Sequence, residues 1–236
     1  MAANTPPIYI QIHDQLKKQI AAGIYKIGDR LPSERELSVQ FGVSRMTLRQ
    51  AVQLLADEGI LERKVGSGTY IANKKVQEKM SGVTSFTEIM KAQGKHPSSR
   101  TLSYYTTLPS SSEQEELQLA PDETILKMER IRYADNVPIC FEVASLPAAL
   151  VQGFTKHEIT TSLYHTLETK GKQEIKHAEQ TITAQLASEQ TADYLRVKRG
   201  DAILKLRQVS YLNNGKPFEY VRTQYAGNRF EFYLEK

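Results

Sequence analysis

Residues 32–71, PSERELSVQFGVSRMTLRQAVQLLADEGILERKVGSGTYI, decide the fold of the first third of the chain. Ser33, with Glu36 three residues on, is a capping box that opens a short helix running through Leu37 and Val39 to Phe41. Gly42 breaks it. Ser44 can cap a second helix, whose buried side would be Met46, Leu48, Ala51, Val52, Leu54 and Leu55, and Gly59 ends that run. Two short helices joined at Gly42-Val43-Ser44 read as a helix-turn-helix. Beyond them, alternating stretches flank Gly66-Ser67-Gly68, the pattern of a hairpin with glycines at its tip. Upstream, Ile8, Ile12, Leu16 and Ile20 recur at spacing four and predict one more helix, stopped by Gly23. The segment as a whole reads as a winged helix-turn-helix.

A helix-turn-helix presents the first turns of its second helix to base edges in the major groove. Here those turns hold Ser44, Arg45, Thr47, Arg49 and Gln50, and Arg35 of the preceding helix can reach the same groove. The planar fork of arginine matches two acceptors of guanine at once, so Arg35 and Arg45 are the candidate base readers. Ser44, Thr47 and Arg49 are candidate phosphate contacts. Gly66, at the bare tip of the hairpin, could slide into a minor groove, although a tight turn that requires positive φ explains the glycine equally well.

The charge distribution points the same way. Of 236 residues, the first 75 hold 11 Lys and Arg against 7 Asp and Glu, which is the whole of the net +4; the remaining 20 basic and 20 acidic residues balance. A basic segment gains affinity for a polyanion by displacing condensed counterions. With 40% hydrophobic and 25% charged residues, the chain can bury a core and is long enough for two domains. A single cysteine, Cys140, rules out a disulfide framework and thiolate-rich zinc sites, and fits a reducing compartment. The opening MAANTPPIYI lacks a basic stretch followed by an apolar one, so no signal peptide is expected, and no apolar run is long enough to span a membrane. A cytoplasmic location is the expectation.

Residues 73–80 are polar and without apolar period, and read as a linker. Residues 81–236 then form a second domain in which strand patterns dominate. One hairpin runs 125–133, turns at Asp135-Asn136 and returns over 138–143; another runs 202–209, turns at Asn213-Asn214-Gly215 and returns over 217–223. Helical patterns lie at about 84–93, 112–119, 160–170 and 188–195, so the fold class is α+β, with antiparallel strands and helices off to one side.

Catalysis finds no support in this part. The five histidines, at 13, 96, 157, 165 and 177, fall in no metal-binding spacing, and no nucleophile elbow exists. Cys140 sits in a strand and reads as a packed thiol. No cofactor or metal is expected. Binding is better supported. Thr84-Ser85-Phe86-Thr87-Glu88 opens a helix with hydroxyls and free amides together, which suits an anion, or is simply an ordinary cap. Arg130 and Arg132, two apart on a strand, share one face and need an anion; an ion pair with Glu142 on the returning strand is the rival account. Ser162 and Tyr164 add two hydroxyls near the start of another helix.

Over residues 6–72 the combination PSEREL, FGVSR, TLRQA and GSGTY resembles the amino-terminal domain of the GntR family of bacterial transcription regulators. The resemblance implies operator binding by a two-fold dimer, with Arg35 and Arg45 reading bases and Gly66 at the wing tip. Residues from about 80 to 235 look like the effector-binding domain of the HutC subfamily, a chorismate-lyase-like antiparallel sheet with flanking helices (UTRA type). Within it, GVTSFTEIMKAQG, ERIRYADNVPICFEVASLP, TSLYHTLE and GKPFEYVRTQYAGNRFEF are most similar to regulators of N-acetylglucosamine use, whose effector is a phosphosugar. Carried onto this chain, Ser85, Phe86, Thr87, Arg130, Arg132, Ser162 and Tyr164 would hold the phosphate. Glu142, Glu219 and Tyr225 would hold the sugar, supported by Arg222 and Arg229. The function that follows is a homodimeric repressor, not an enzyme, that binds a palindromic operator in double-stranded DNA and is released by N-acetylglucosamine 6-phosphate or glucosamine 6-phosphate. The alternatives are a different small anionic effector, or a DNA-tethered enzyme on a lyase-like fold.

Overall fold

The computed structural model describes residues 6–26, 28–72 and 75–235. They fall into two units, the first ending at Lys74 and the second starting at Lys75.

In the first unit, helices α1 (Ile8–Ala21), α2 (Glu34–Phe41) and α3 (Arg45–Asp57) precede an antiparallel pair, β1 (Leu61–Lys64) and β2 (Gly68–Ile71). The capping box is present: the Glu36 amide donates to Ser33 Oγ and the Ser33 amide donates to Glu36 Oε2. Gly42 ends α2 with φ 64°, in the left-handed region where a side chain is disfavoured. Ser44 then caps α3 by accepting from the Thr47 amide at 3.1 Å. Ile12 and Leu16 of α1 close over Leu37, Leu48, Ala51, Val52 and Leu55, with Leu61 and Ile71 of the hairpin completing the core. The expected buried side of α3 is only partly so: Met46 is 65% exposed and Leu54 half-buried, and Val39 of α2 is exposed as well. The buried stripe of α3 is 48, 51, 52 and 55, and Met46 lies two residues from Leu48, about 200° around the helix.

The second unit is built on a six-stranded antiparallel sheet in the order β4-β5-β6-β9-β8-β7. The strands are β4 (Pro97–Thr107), β5 (Ile125–Ala134), β6 (Val137–Pro147), β7 (Ile175–Leu186), β8 (Ala202–Leu212) and β9 (Pro217–Ala226). The two expected hairpins form its centre. Its long edges, β4 and β7, carry no clean hydrophobic alternation and were not anticipated; each has only one neighbour and a face largely open to water.

Helices cover both faces of the sheet rather than one. Leu126, Met128, Ala144 and Leu146 pack against α6 (Lys156–Thr161) and α7 (Leu163–Thr169), while Ile131, Phe141 and Ile203 on the reverse side pack against α8 (Glu189–Leu195). Leu117 of α5 (Ser111–Leu117) covers Ile125 and Val209 on that reverse side. The single helix expected over 160–170 is thus two short ones. They meet at Ser162, whose φ of −156° and ψ of 90° break the helical path.

The linker expected at 73–80 is also shorter than its polarity suggests. Asn73 and Lys74 lie outside the described residues, but Val76–Lys79 form strand β3, paired in parallel with β10 (Phe230–Tyr233). Val76 and Glu78 face inward while Gln77 and Lys79 are exposed. An acidic residue at an inward position hides the alternation from a reading by hydrophobicity.

Candidate functional site

Between two apolar clusters on one face of the large sheet lies a polar cavity. On one side are Val76, Met90 and Phe230, contributed by β3, by α4 (Phe86–Ala92) and by β10; on the other are Ile159, Leu163 and Leu167 of α6 and α7. The cavity measures about 70 Å³, room for several waters on the measure by which one water needs about 10–15 Å³. It is lined by all of Ser85, Phe86, Thr87, Arg130, Arg132, Glu142, Ser162, Tyr164, Glu219 and Tyr225, which the sequence scatters over 141 positions.

Strand register explains the convergence. Arg130 pairs with Glu142 across β5 and β6, and Glu142 pairs with Thr223 of β9; Arg132 pairs with Cys140, which pairs with Tyr225. Alternation puts all of these on the cavity face. Arg130 Nε donates to Glu142 Oε1, and Arg130 Nη1 donates to the carbonyls of Ile159 (3.3 Å) and Thr160 (2.9 Å) at the end of α6. Arg132 stands differently. Its Nη2 donates to Thr87 Oγ1 at 3.2 Å, its Nη1 lies 3.5 Å from Glu142 Oε1, and its guanidinium sits 4.6 Å above the Phe86 ring. Its Nε is buried without any hydrogen-bond partner among the described residues. Burial and the neighbouring Arg130 both press its pKa down. Burial alone would raise the Glu142 carboxyl, but the two arginines outweigh it and hold it below the usual range.

At the other end of the cavity, Tyr164 donates to Glu219 Oε2 at 2.7 Å and accepts from Gln208 Nε2 at 3.0 Å. Burial, reinforced by the charge of Glu142, pushes the Glu219 carboxyl up to about 7. Burial likewise raises the Tyr225 hydroxyl and the Cys140 thiol well above their usual values, so Cys140 is packed and protonated. The Ser85 hydroxyl is engaged in a capping box with Glu88, so the ordinary-cap account holds for its side chain. Ser162 lines the cavity without capping α7.

The two supporting arginines lie elsewhere. Arg222 falls between Val221 and Thr223, so it points to the opposite face, where its guanidinium lies 5.8 Å from the Tyr220 ring. Arg229 donates to the carbonyls of Pro138 and Arg196, at 2.7 and 2.9 Å, and ties the end of α8 to the start of β6. Lining residues missed from the sequence are Glu78, Gln208 and Thr223. Gln208 and Thr223 alternate in phase with Leu206 and Tyr225, a signal that was legible; Glu78 was masked by its place in the supposed linker.

In the first unit, a groove of about 370 Å³ runs between the wing and α2–α3, lined by Arg30, Arg35, Arg45 and Arg49. The Arg35 and Arg45 side chains are exposed and make no hydrogen bond or ion pair among the described residues. Arg49 Nε donates to Glu34 Oε2 at 3.1 Å, and Arg63 lies 3.6 Å from the same carboxylate. Ser44 and Thr47 share a 2.8 Å hydrogen bond at the start of α3. Gly66 stands exposed at the wing tip with φ 73° and open space around it. Arg30 is the member that sequence reading missed. Its guanidinium lies against Gly68, where an added Cβ would come within 2.8 Å of Nε. Four converging arginines suit the phosphate backbone and base edges of a duplex.

The family description "Bacterial regulatory proteins, gntR family" matches residues 8–71, and "UTRA domain" matches residues 92–231. The chain belongs to the GntR family of bacterial transcription regulators. A GntR head followed by a UTRA domain is the HutC-type architecture. The chain is 35% identical to the HTH-type transcriptional repressor NagR of Bacillus subtilis, over 96% of this chain and 93% of that protein. It is 33% identical to the mannosyl-D-glycerate transport/metabolism system repressor MngR of Escherichia coli, over 97% and 95%. A solved GntR-family transcriptional regulator from Enterococcus faecalis is 66% identical and superposes with a TM-score of 0.56, covering 59% of this chain and all of that one. This GntR-family member is a DNA-binding transcriptional repressor and not an enzyme. Among its described residues no helix is long and apolar enough to cross a membrane, and no group of three or more His, Cys, Asp or Glu is placed to hold a metal.

Proposed function

We propose that this repressor binds a palindromic operator as a homodimer and is released when a phosphorylated amino sugar, N-acetylglucosamine 6-phosphate or glucosamine 6-phosphate, occupies the cavity of its UTRA domain. The observation that carries the reading is Arg132: a guanidinium almost wholly out of water, with one N–H unpartnered, beside a second arginine whose own carboxylate partner is already engaged. A buried donor left unmade costs free energy that a phosphate oxygen would recover. The sugar would then lie toward Glu142, Glu219 and Tyr225, whose oxygens can accept from hydroxyl and amino groups. That one relative is named for a mannosyl-D-glycerate system supports a sugar derivative bearing negative charge.

On the DNA side, Arg35 and Arg45 read bases, Ser44, Thr47 and Arg49 hold phosphates, and the Gly66 tip enters the minor groove. Two heads on a dimer engage half-sites about one helical turn apart. Such a protein works where the chromosome is, in the cytoplasm. Fluorescence anisotropy of a labelled operator, titrated with and without each sugar phosphate, tests the scheme. Weaker operator binding is expected with sugar, by a coupling of about 1–3 kcal/mol that must act equally in reverse. Unchanged binding at saturating sugar phosphate would remove that effector.

A further inference from the structure

Glu78 lines the effector cavity from β3, and among the described residues no cation neutralises it. It is 9% exposed, and among the described residues it has no ion-pair partner; the Gln180 amide is the one group that draws its proton affinity down. Burial pushes its carboxyl up to about 7. A buried carboxyl without a cation is expensive to keep unless something supplies donors. Nearby, Gln180 Nε2 donates to Gln208 Oε1 at 2.7 Å, and Gln208 Nε2 donates to Tyr164 and Ser210, at 3.0 and 2.8 Å. Tyr164 in turn donates to Glu219. A chain of amides and hydroxyls, Gln180, Gln208 and Tyr164, therefore links Glu78 to Glu219, and among the described residues neither carboxyl has an ion pair. Perturbed groups gathered in a cavity mark functional sites more often than chance.

We propose that Glu78 is a ligand-contacting residue of this cavity, its carboxyl accepting hydrogen bonds from the hydroxyl or amino donors of the sugar at the end away from the phosphate. The inference rests on the reading of the cavity as the effector site. It has a consequence for signalling: Glu78 sits on the strand that starts at Val76, two residues after the last residue of the DNA-binding unit. A ligand that holds Glu78 therefore holds the first structured segment beyond the head, and fixes where the connection to the head begins.

The test uses the full-length wild type, Glu78→Gln and Glu78→Asp, titrated calorimetrically with inorganic phosphate, glucose 6-phosphate, glucosamine 6-phosphate and N-acetylglucosamine 6-phosphate. At a pH above 7, where Glu78 is ionised, Glu78→Gln should lower affinity for those sugar phosphates that the wild type binds by about ten-fold or more, the loss expected for a hydrogen bond to a charged acceptor. Inorganic phosphate binding and operator binding without ligand should stay unchanged. Glu78→Asp keeps the charge but withdraws it by one methylene, and should show the same ligand-selective loss. If either folded variant binds the sugar phosphates as the wild type does, Glu78 makes no ligand contact and the inference fails, while the effector reading stands. Should the wild type bind neither phosphate nor any sugar phosphate, the effector reading itself fails and takes this inference with it.

Discussion

Arg130 and Glu142 are register partners on adjacent central strands and form an ion pair almost entirely out of water, while Arg132, two residues along, keeps a buried N–H unpaired. Of the two accounts the sequence offers for these arginines, the structural ion pair applies to Arg130, which is committed to Glu142 and to the end of α6, while Arg132 is the arginine we propose to meet the anion.

Substitution should separate the two. Arg130→Ala leaves Glu142 buried with a weaker partner 3.5 Å away, and breaking such a pair costs about 3–5 kcal/mol. Arg132→Ala removes a 3.5 Å contact to Glu142 and a hydrogen bond to Thr87 but relieves the repulsion between the arginines, and should cost less stability than Arg130→Ala. It should leave operator affinity intact and abolish the response to sugar phosphate. Urea denaturation together with operator anisotropy checks both; an Arg132→Ala protein as unstable as Arg130→Ala would assign Arg132 to the scaffold.

The DNA-binding groove predicts a graded set of effects. Arg45→Ala should cost about 1–3 kcal/mol of operator affinity and relax sequence choice at one base pair. Arg49→Ala, at the proposed phosphate contact, should instead weaken binding uniformly and reduce the salt slope by about 1. Competition binding with single-base operator variants at several salt concentrations distinguishes them.

Gly66, in the wing turn, and Gly68, which opens β2, differ in what surrounds them. Gly66, at φ 73° with open space, should tolerate alanine for about 1–2 kcal/mol of conformational cost. At Gly68, with φ 129°, a Cβ would meet the end of the Arg30 side chain and push it aside. Gly68→Ala should therefore weaken operator binding as Arg30→Ala does, and the double variant should lose no more than either alone. Additive losses would show that Gly68 acts on the wing by itself.

Stability should depend on pH through the buried carboxyls of the UTRA domain. Glu78 and Glu219 are raised by burial to about 7, so in the folded state each keeps a proton that the unfolded chain has released. Their contribution is full below pH 4.5 and is lost as pH rises through about 7. Glu113 works in the other direction. Burial would raise it, but Lys127 at 2.8 Å and hydrogen bonds from Ser110 and Ser145 hold it at about 2, so its contribution is present above pH 4.5 and disappears as pH falls through 2. Between pH 4.5 and about 7 the urea midpoint should fall with rising pH, and Glu219→Gln should flatten that slope. A midpoint that rises through this window would contradict the raised values.

The local sequence determined the head almost completely. Capping residues, glycines at left-handed positions and four-residue apolar spacing act over a few residues, so Ser33, Gly42 and Ser44 specify α2, the turn and α3 without help from the rest of the chain. The central hairpins of the sheet were legible for the same reason, from alternation and turn residues. Tertiary structure alone decided the edges of the sheet, the break at Ser162, the strand at Val76–Lys79, and which polar residues share the cavity. Arg222 and Thr223 differ by one position, and only the pairing of β9 with its neighbours puts one in the cavity and the other on the far face. Side-chain direction in a sheet alternates every residue, and the register that assigns it comes from strands far apart in the chain. That is why Glu78, hidden in a polar stretch, and Gln208, whose phase is legible but whose face is not, line one cavity across more than a hundred positions once the sheet is closed.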